Sequence, residues 1–199
     1  MRAFIKLILL VVLLIAAFAA AGYWYVTSTE LSARASPSPV ESKVARRIRT
    51  YAVPARVKAT PNPVPATPEI VRAGMTHFAD HCATCHGNDG AGDTMYGRGM
   101  YPRPPDLKAA ATQAMTDGEL FHVIENGVRF TGMPGFGDGS AEASNDTWHL
   151  VRFIRHLPKI TKTELAEMAA LNPKSPEEWT ALQLGKEPAK ASDGHKHKH

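Results

Sequence analysis

Residues 4–26, FIKLILLVVLLIAAFAAAGYWYV, form an apolar run of 23 residues interrupted by one charge, Lys6. Roughly 20 such residues cross the hydrocarbon core of a bilayer. No water there can satisfy backbone N–H and C=O groups, so a run of this kind has to be helical. Tyr23, Trp24 and Tyr25 stand at its end, where amphipathic rings favour the headgroup layer. Ala19-Ala20-Ala21 resembles a signal-peptidase site, but the apolar run continues beyond it. Residues 1–26 are therefore expected to be a transmembrane anchor or an uncleaved signal. The expected orientation has the short N-terminus inside and the remainder outside, because whole domains translocate largely regardless of charge.

The next stretch, 27–66, holds seven Lys/Arg against Glu30 and Glu41, and its SPSPVES and TPNPVPATP supply prolines without apolar periodicity. That composition predicts a semi-rigid, extended linker that packs against nothing. Its cluster Lys43, Arg46, Arg47 and Arg49 either rests on anionic headgroups or simply keeps the linker solvated. The sequence pI near 9.1 comes from this part of the chain, since residues 67–160 carry eight basic and eleven acidic residues. Basic residues in a proline-rich stretch without interleaved aromatics are not a nucleic-acid signature, so no nucleic-acid partner is expected.

A folded domain is predicted over 67–160. Thr67 suits a helix N-cap and Pro68 the first helical position. Ile70, Gly74, Phe78 and Cys82 recur every four residues on one helical face. A glycine inside a helix costs about 1 kcal/mol, so Gly74 implies close approach by another element. From Gly87 to Pro105 the chain is rich in Gly, Pro and Asp, a long loop that is uncommon unless it wraps something. Thr116-x-x-Glu119 starts a second helix that Gly127 ends. A glycine-rich segment, VRFTGMPGFGDG, leads to a third helix over about Asp146–Leu157, stopped by Pro158. No stretch alternates like a strand, so the domain reads as all-α and loop-rich. A short helical extension is expected over 161–185, from Thr161-x-x-Glu164 and Ser175-Pro176-Glu177-Glu178, before a disordered His/Lys tail, 186–199.

The only two cysteines lie in Cys82-Ala83-Thr84-Cys85-His86. A redox dithiol expects this spacing beside a βαβ pattern, which is missing. A structural zinc site needs four ligands; His77 and His81 would have to join the two cysteines, and there is no second C-x-x-C. Covalent haem attachment needs two thiols and an adjacent histidine for the iron, and an extracytoplasmic setting favours it, because an idle thiol pair would oxidise there. Such a domain is also small, with narrow apolar helix faces, and a large flat cofactor would complete its core.

Methionine is the sixth ligand to look for, since a neutral thioether opposite His favours ferrous iron. Met133, in TGMPGF, sits beside the rigid Pro134 and is the choice over Met95, Met100 and Met115. His122 and His149 are the bis-histidine alternatives. The second ring N–H of His86 needs an oriented acceptor, and Pro102, Pro104 or Pro105 could each supply a carbonyl.

Taken together, residues 67–158 resemble a monohaem class I c-type cytochrome domain. The resemblance rests on Gly74 and Phe78 leading into Cys82, Cys85 and His86, on Met133-Pro134, and on a last helix with Trp148, Phe153 and Leu157. It implies one covalent haem c on Cys82 and Cys85, with His86 and Met133 as axial ligands of the haem iron. It also implies that Gly74 meets Trp148 or Phe153 where two helices cross. The expected protein is a membrane-tethered one-electron carrier, not an enzyme, on the bacterial cytoplasmic membrane with its haem domain on the periplasmic side. Redox donor and acceptor proteins and the membrane are its expected partners. The alternatives are a haem subunit of a larger respiratory or dehydrogenase complex and a gas-binding or catalytic haem domain. His195, His197 and His199 form a weaker candidate metal tail, since Lys196 and Lys198 repel cations.

Overall fold

The computed structural model of the protein describes residues 2–28 and 32–174; the Ser175 helix start and the 186–199 tail lie outside the described residues. Among the described residues the structure is helical and contains no strand. Helix α1, Arg2–Ser28, has 27 residues and so a length of about 40 Å. It is the one described helix long and apolar enough to cross a membrane, and its large apolar side chains are exposed.

Two long helices organise the rest. Helix α4, Pro68–His77, starts as its sequence predicts: the Thr67 hydroxyl accepts the Ile70 N–H at 3.4 Å, and Pro68 opens the helix. It runs on through a π-helical turn, Phe78–Cys82, into α5, Ala83–His86. The Ala83 N–H reaches back five residues to the Phe78 carbonyl. Such widened turns cluster at functional sites. Gly87, at φ +73°, ends the run. Helix α9, Ala141–His156, packs along α4 as the main helix pair. It begins five residues before the expected Asp146, because Ser140 caps it by accepting the Ala143 N–H at 3.0 Å.

The core lies between these two helices. Met75, Phe78 and Ala79 of the first meet Leu150, Val151 and Phe153 of the second, with the Phe78 and Phe153 rings 5.1 Å apart. Helix α8, Asp117–Asn126, adds Leu120 and Ile124; its capping box from Thr116 and Glu119 and its stop at Gly127 follow the sequence. Helix α10, Lys162–Leu171, opens with the expected Thr161–Glu164 capping box and inserts Met168 into the same core. At the crossing of α4 and α9, Gly74 faces the His149 carbonyl and Cβ of Phe153. Trp148 instead stacks on Phe121, at 4.1 Å between ring centroids.

The linker differs from its extended, unpacked expectation. Residues Pro39–Ala52 form a helix, α2, and Ala55–Lys58 a short turn of helix, α3. The Ser38 hydroxyl caps α2 by accepting the Glu41 N–H at 3.1 Å. The next residues lie on the domain. The Val57 carbonyl occupies the space a side chain at Gly118 would need. Asn62 donates to the Trp148 carbonyl at 3.1 Å, and Arg152 Nε donates to the Val64 carbonyl at 2.8 Å. Hydrogen-bond partners far away in sequence, supplied by α9, and close contact with α8 hold a segment whose own composition promises no packing. Two shorter helices, α6 (Met95–Arg98) and α7 (Ala110–Gln113), punctuate the loop between α5 and α8.

Candidate functional site

The π turn and α5 bring Cys82, Cys85 and His86 to one wall of a cavity of about 190 Å³ that opens to solvent. Its sides are apolar: Phe78, Leu107, Leu120, Ile124, Leu150 and Ile154 all face it. Met133 lies on its wall too, so the structure gathers all four predicted site residues into one space. Met100 and Met115 also reach it. Met95 is exposed outside it, and Met75 and Met168 are buried in the helical core. His122 and His149 do not line it; each stays beside an asparagine of its own helix, Asn126 and Asn145.

The wrapping loops are held by their own backbone. Past the histidine, the Gly92 N–H donates to the His86 carbonyl at 2.7 Å and the Thr94 hydroxyl to the Cys85 carbonyl at 3.2 Å. The Leu107 N–H returns to the Gly90 carbonyl at 2.8 Å. Across the cavity, the Val128 N–H donates to the Met133 carbonyl at 3.1 Å. The Met133 N–H donates to the Thr131 hydroxyl at 3.2 Å. Gly127 makes this return possible, because a Cβ there would come within 2.5 Å of the Pro134 carbonyl carbon. Neighbouring Gly132 gives way to the Met100 sulfur, 2.9 Å from where its Cβ would be. The methionine therefore sits on a backbone with little local freedom.

Electrostatics separate the chemistries open to the motif. Burial, reinforced by the neighbouring Cys85, pushes the Cys82 thiol up to about 12, and burial raises Cys85 as well. Thiols that resist ionisation are poor redox nucleophiles. The two are unlinked. Among the described residues no group of three or more His, Cys, Asp or Glu converges as a metal cage. His77 and His81 instead pack edge to face, at 4.8 Å. Burial lowers the His86 pKa, and the Pro105 carbonyl opposes that shift to a smaller degree. Its Nδ1 is buried and has no hydrogen-bond partner. All three prolines the sequence left open line the cavity, and the Pro105 carbonyl is the one that bears on the ring's charge.

These features fit a haem. An apolar cavity bordered by two thiols offers a flat macrocycle a dry wall and two attachment points, and an imidazole and thioethers face the same space. Sequence reasoning missed Arg49, which also lines the cavity; it comes from α2, which the proline-rich context hid.

A helical domain built this way has the features of a c-type cytochrome domain. Residues 69–154 match the family described as cytochrome C oxidase, cbb3-type, subunit III, and over this stretch the chain is a cytochrome c domain. Among curated proteins none matches the chain. Among solved structures it is similar to a chain of the Kuenenia stuttgartiensis reducing HAO-like protein complex, at 20% identity and a TM-score of 0.43. That likeness covers 48% of this chain and 46% of the other, and carries no argument about function.

Proposed function

We propose that the protein is a membrane-tethered one-electron carrier that holds one haem c through thioether bonds to Cys82 and Cys85, with His86 and Met133 as axial ligands of its iron. The haem supplies a one-electron couple; the chain supplies its setting. The convergence of both thiols, the imidazole and the Met133 loop on one apolar cavity carries this reading. Burial holds His86, and the Pro105 carbonyl acts on its ring. Met133 is presented by a loop pinned at Gly127 and Thr131, which helps a weak thioether remain in place. The apolar walls exclude water, and a His/Met pair with a dry site favours the reduced state. With both axial positions taken by protein, no substrate reaches the iron and no catalysis is expected. Helix α1 anchors the domain in the cytoplasmic membrane of a bacterium, facing the periplasm, where redox proteins deliver and collect electrons. Tethering raises its effective concentration near them.

Mass spectrometry of the membrane-extracted protein tests the attachment. The expected mass is the polypeptide plus one porphyrin, with no thiol available to alkylation. A bare polypeptide with two alkylatable thiols would refute it. A second reading is favoured by the matched family's own description as an oxidase subunit: a fixed haem subunit of a respiratory complex. Purification in mild detergent separates the two, since a subunit brings stoichiometric partners and a carrier comes away alone.

A further inference from the structure

Helix α2 is turned inside out for a helix that lies on a domain. Such helices normally bury their apolar stripe and expose their charges. Here Val40, Val44, Ile48 and Tyr51, spaced along one face, are 72%, 50%, 63% and 85% exposed. The residues in contact with the domain are polar. Arg49 lines the haem cavity, Ser42 is half-buried, and the Glu41 carboxylate accepts the Tyr101 hydroxyl at 2.5 Å. Arg47, three residues from Val44 and four from Tyr51, borders the apolar face with Lys43. An apolar face with a cationic border suits the boundary between acyl chains and anionic headgroups.

Position in the chain says what covers it. Ten residues, 29–38, separate α1 from α2. They reach at most about 35 Å, so α2 is held close to the surface into which α1 inserts.

We propose that α2 lies in the membrane interface, with Val40, Val44, Ile48 and Tyr51 among the acyl chains and Lys43 and Arg47 on anionic phosphate headgroups. This rests on the reading of α1 as the anchor. Through Arg49 and the Glu41–Tyr101 bond, the same helix then sets the haem cavity at a fixed attitude to the bilayer. The cavity wall next to Arg49 is held at the lipid surface, where a membrane-bound redox partner meets it more readily than a diffusing one.

The test uses the haem-loaded full chain in vesicles of phosphatidylcholine with or without phosphatidylglycerol. A nitroxide on Val44→Cys, and separately on Thr50→Cys and Leu13→Cys, reports its exposure to oxygen and to a water-soluble nickel chelate. In anionic vesicles the Val44 label is expected to see oxygen and not nickel, while the Thr50 label sees nickel. Lys43→Gln and Arg47→Gln are each expected to reduce the docked-to-free ratio about five-fold. A Val44 label open to nickel in anionic vesicles overturns the proposal. So does dipolar broadening between Val44 labels without oxygen preference, which assigns the face to a second copy. The Leu13 label identifies the failing step: in lipid, only the α2 proposal has failed; in water, the anchor reading has failed with it.

Discussion

Gly74 and Phe153 meet where α4 crosses α9: a Cβ on Gly74 would lie 3.0 Å from Cβ of Phe153 and 2.2 Å from the His149 carbonyl oxygen. The second contact is with backbone, which cannot step aside as a side chain can. Gly74→Ala is therefore expected to destabilise the protein by about 1–3 kcal/mol, although alanine is the better helix former by about 1 kcal/mol. Chemical denaturation of the haem-loaded protein measures this. A variant as stable as the parent would mean that the helices separate at little cost.

Arg155 ties α9 to the segment before α8. Its Nε donates to Asp117 at 2.8 Å and one terminal nitrogen to the Gln113 carbonyl at 2.7 Å, and the other reaches the Met115 carbonyl. A lysine has one ammonium where the guanidinium fork serves three acceptors. Arg155→Lys is expected to lose about 1–3 kcal/mol, measured by the same denaturation, and Arg155→Ala at least as much.

Acid should loosen α10. Burial pushes the Glu164 carboxyl up, but hydrogen bonds from the Thr161 N–H and hydroxyl and from His156 outweigh it and leave its pKa lowered. A carboxylate lowered on folding stabilises the native state above its unfolded pKa, near 4.3, and that contribution fades as pH falls through the folded value. Glu164→Gln is expected to be less stable than the parent at neutral pH and to converge on it in acid. Thermal melts from neutral pH down to about pH 3 follow both curves.

Phe130 has φ +61° and is 93% exposed. A left-handed conformation costs a residue with a Cβ roughly 1–2 kcal/mol, and here little packing offsets it. Phe130→Gly is expected to leave stability unchanged or raise it by up to about 1 kcal/mol, since glycine's freedom in the unfolded chain cancels part of the gain. A clear loss of stability would show that the ring has a packing partner.

What the sequence made legible was local. Thr67-Pro68, Thr116–Glu119 and Thr161–Glu164 each start a helix within three residues of their own signal, and each does so in the structure. Helix α2 carries a signal of the same form, Ser38-x-x-Glu41, but the surrounding prolines made the segment read as extended. The early start of α9 at Ser140 was hidden in the same way, among glycines. The convergence of Met133 with Cys82, Cys85 and His86 was foreseeable as chemistry. The entry of Arg49 into the same cavity was not, and nothing local separated Met100, which reaches it, from Met95, which does not. That depends on how α2 and the loop before α7 fold back, and on Gly132, contacts between residues far apart in sequence with no periodic trace. The π turn likewise leaves no pattern in FADHC, because one extra residue in a turn changes the register without changing composition.

Met133, Met100 and Met115 all reach the cavity, so identifying the sulfur at the iron bears most directly on a carrier whose axial positions are both filled by protein. Iron X-ray absorption of the reduced, haem-loaded protein counts the sulfur atoms bound to the metal. One is expected in the parent, in Met100→Leu and in Met115→Leu, and none in Met133→Leu. Sulfur retained in Met133→Leu, or no sulfur in the parent, would contradict the account.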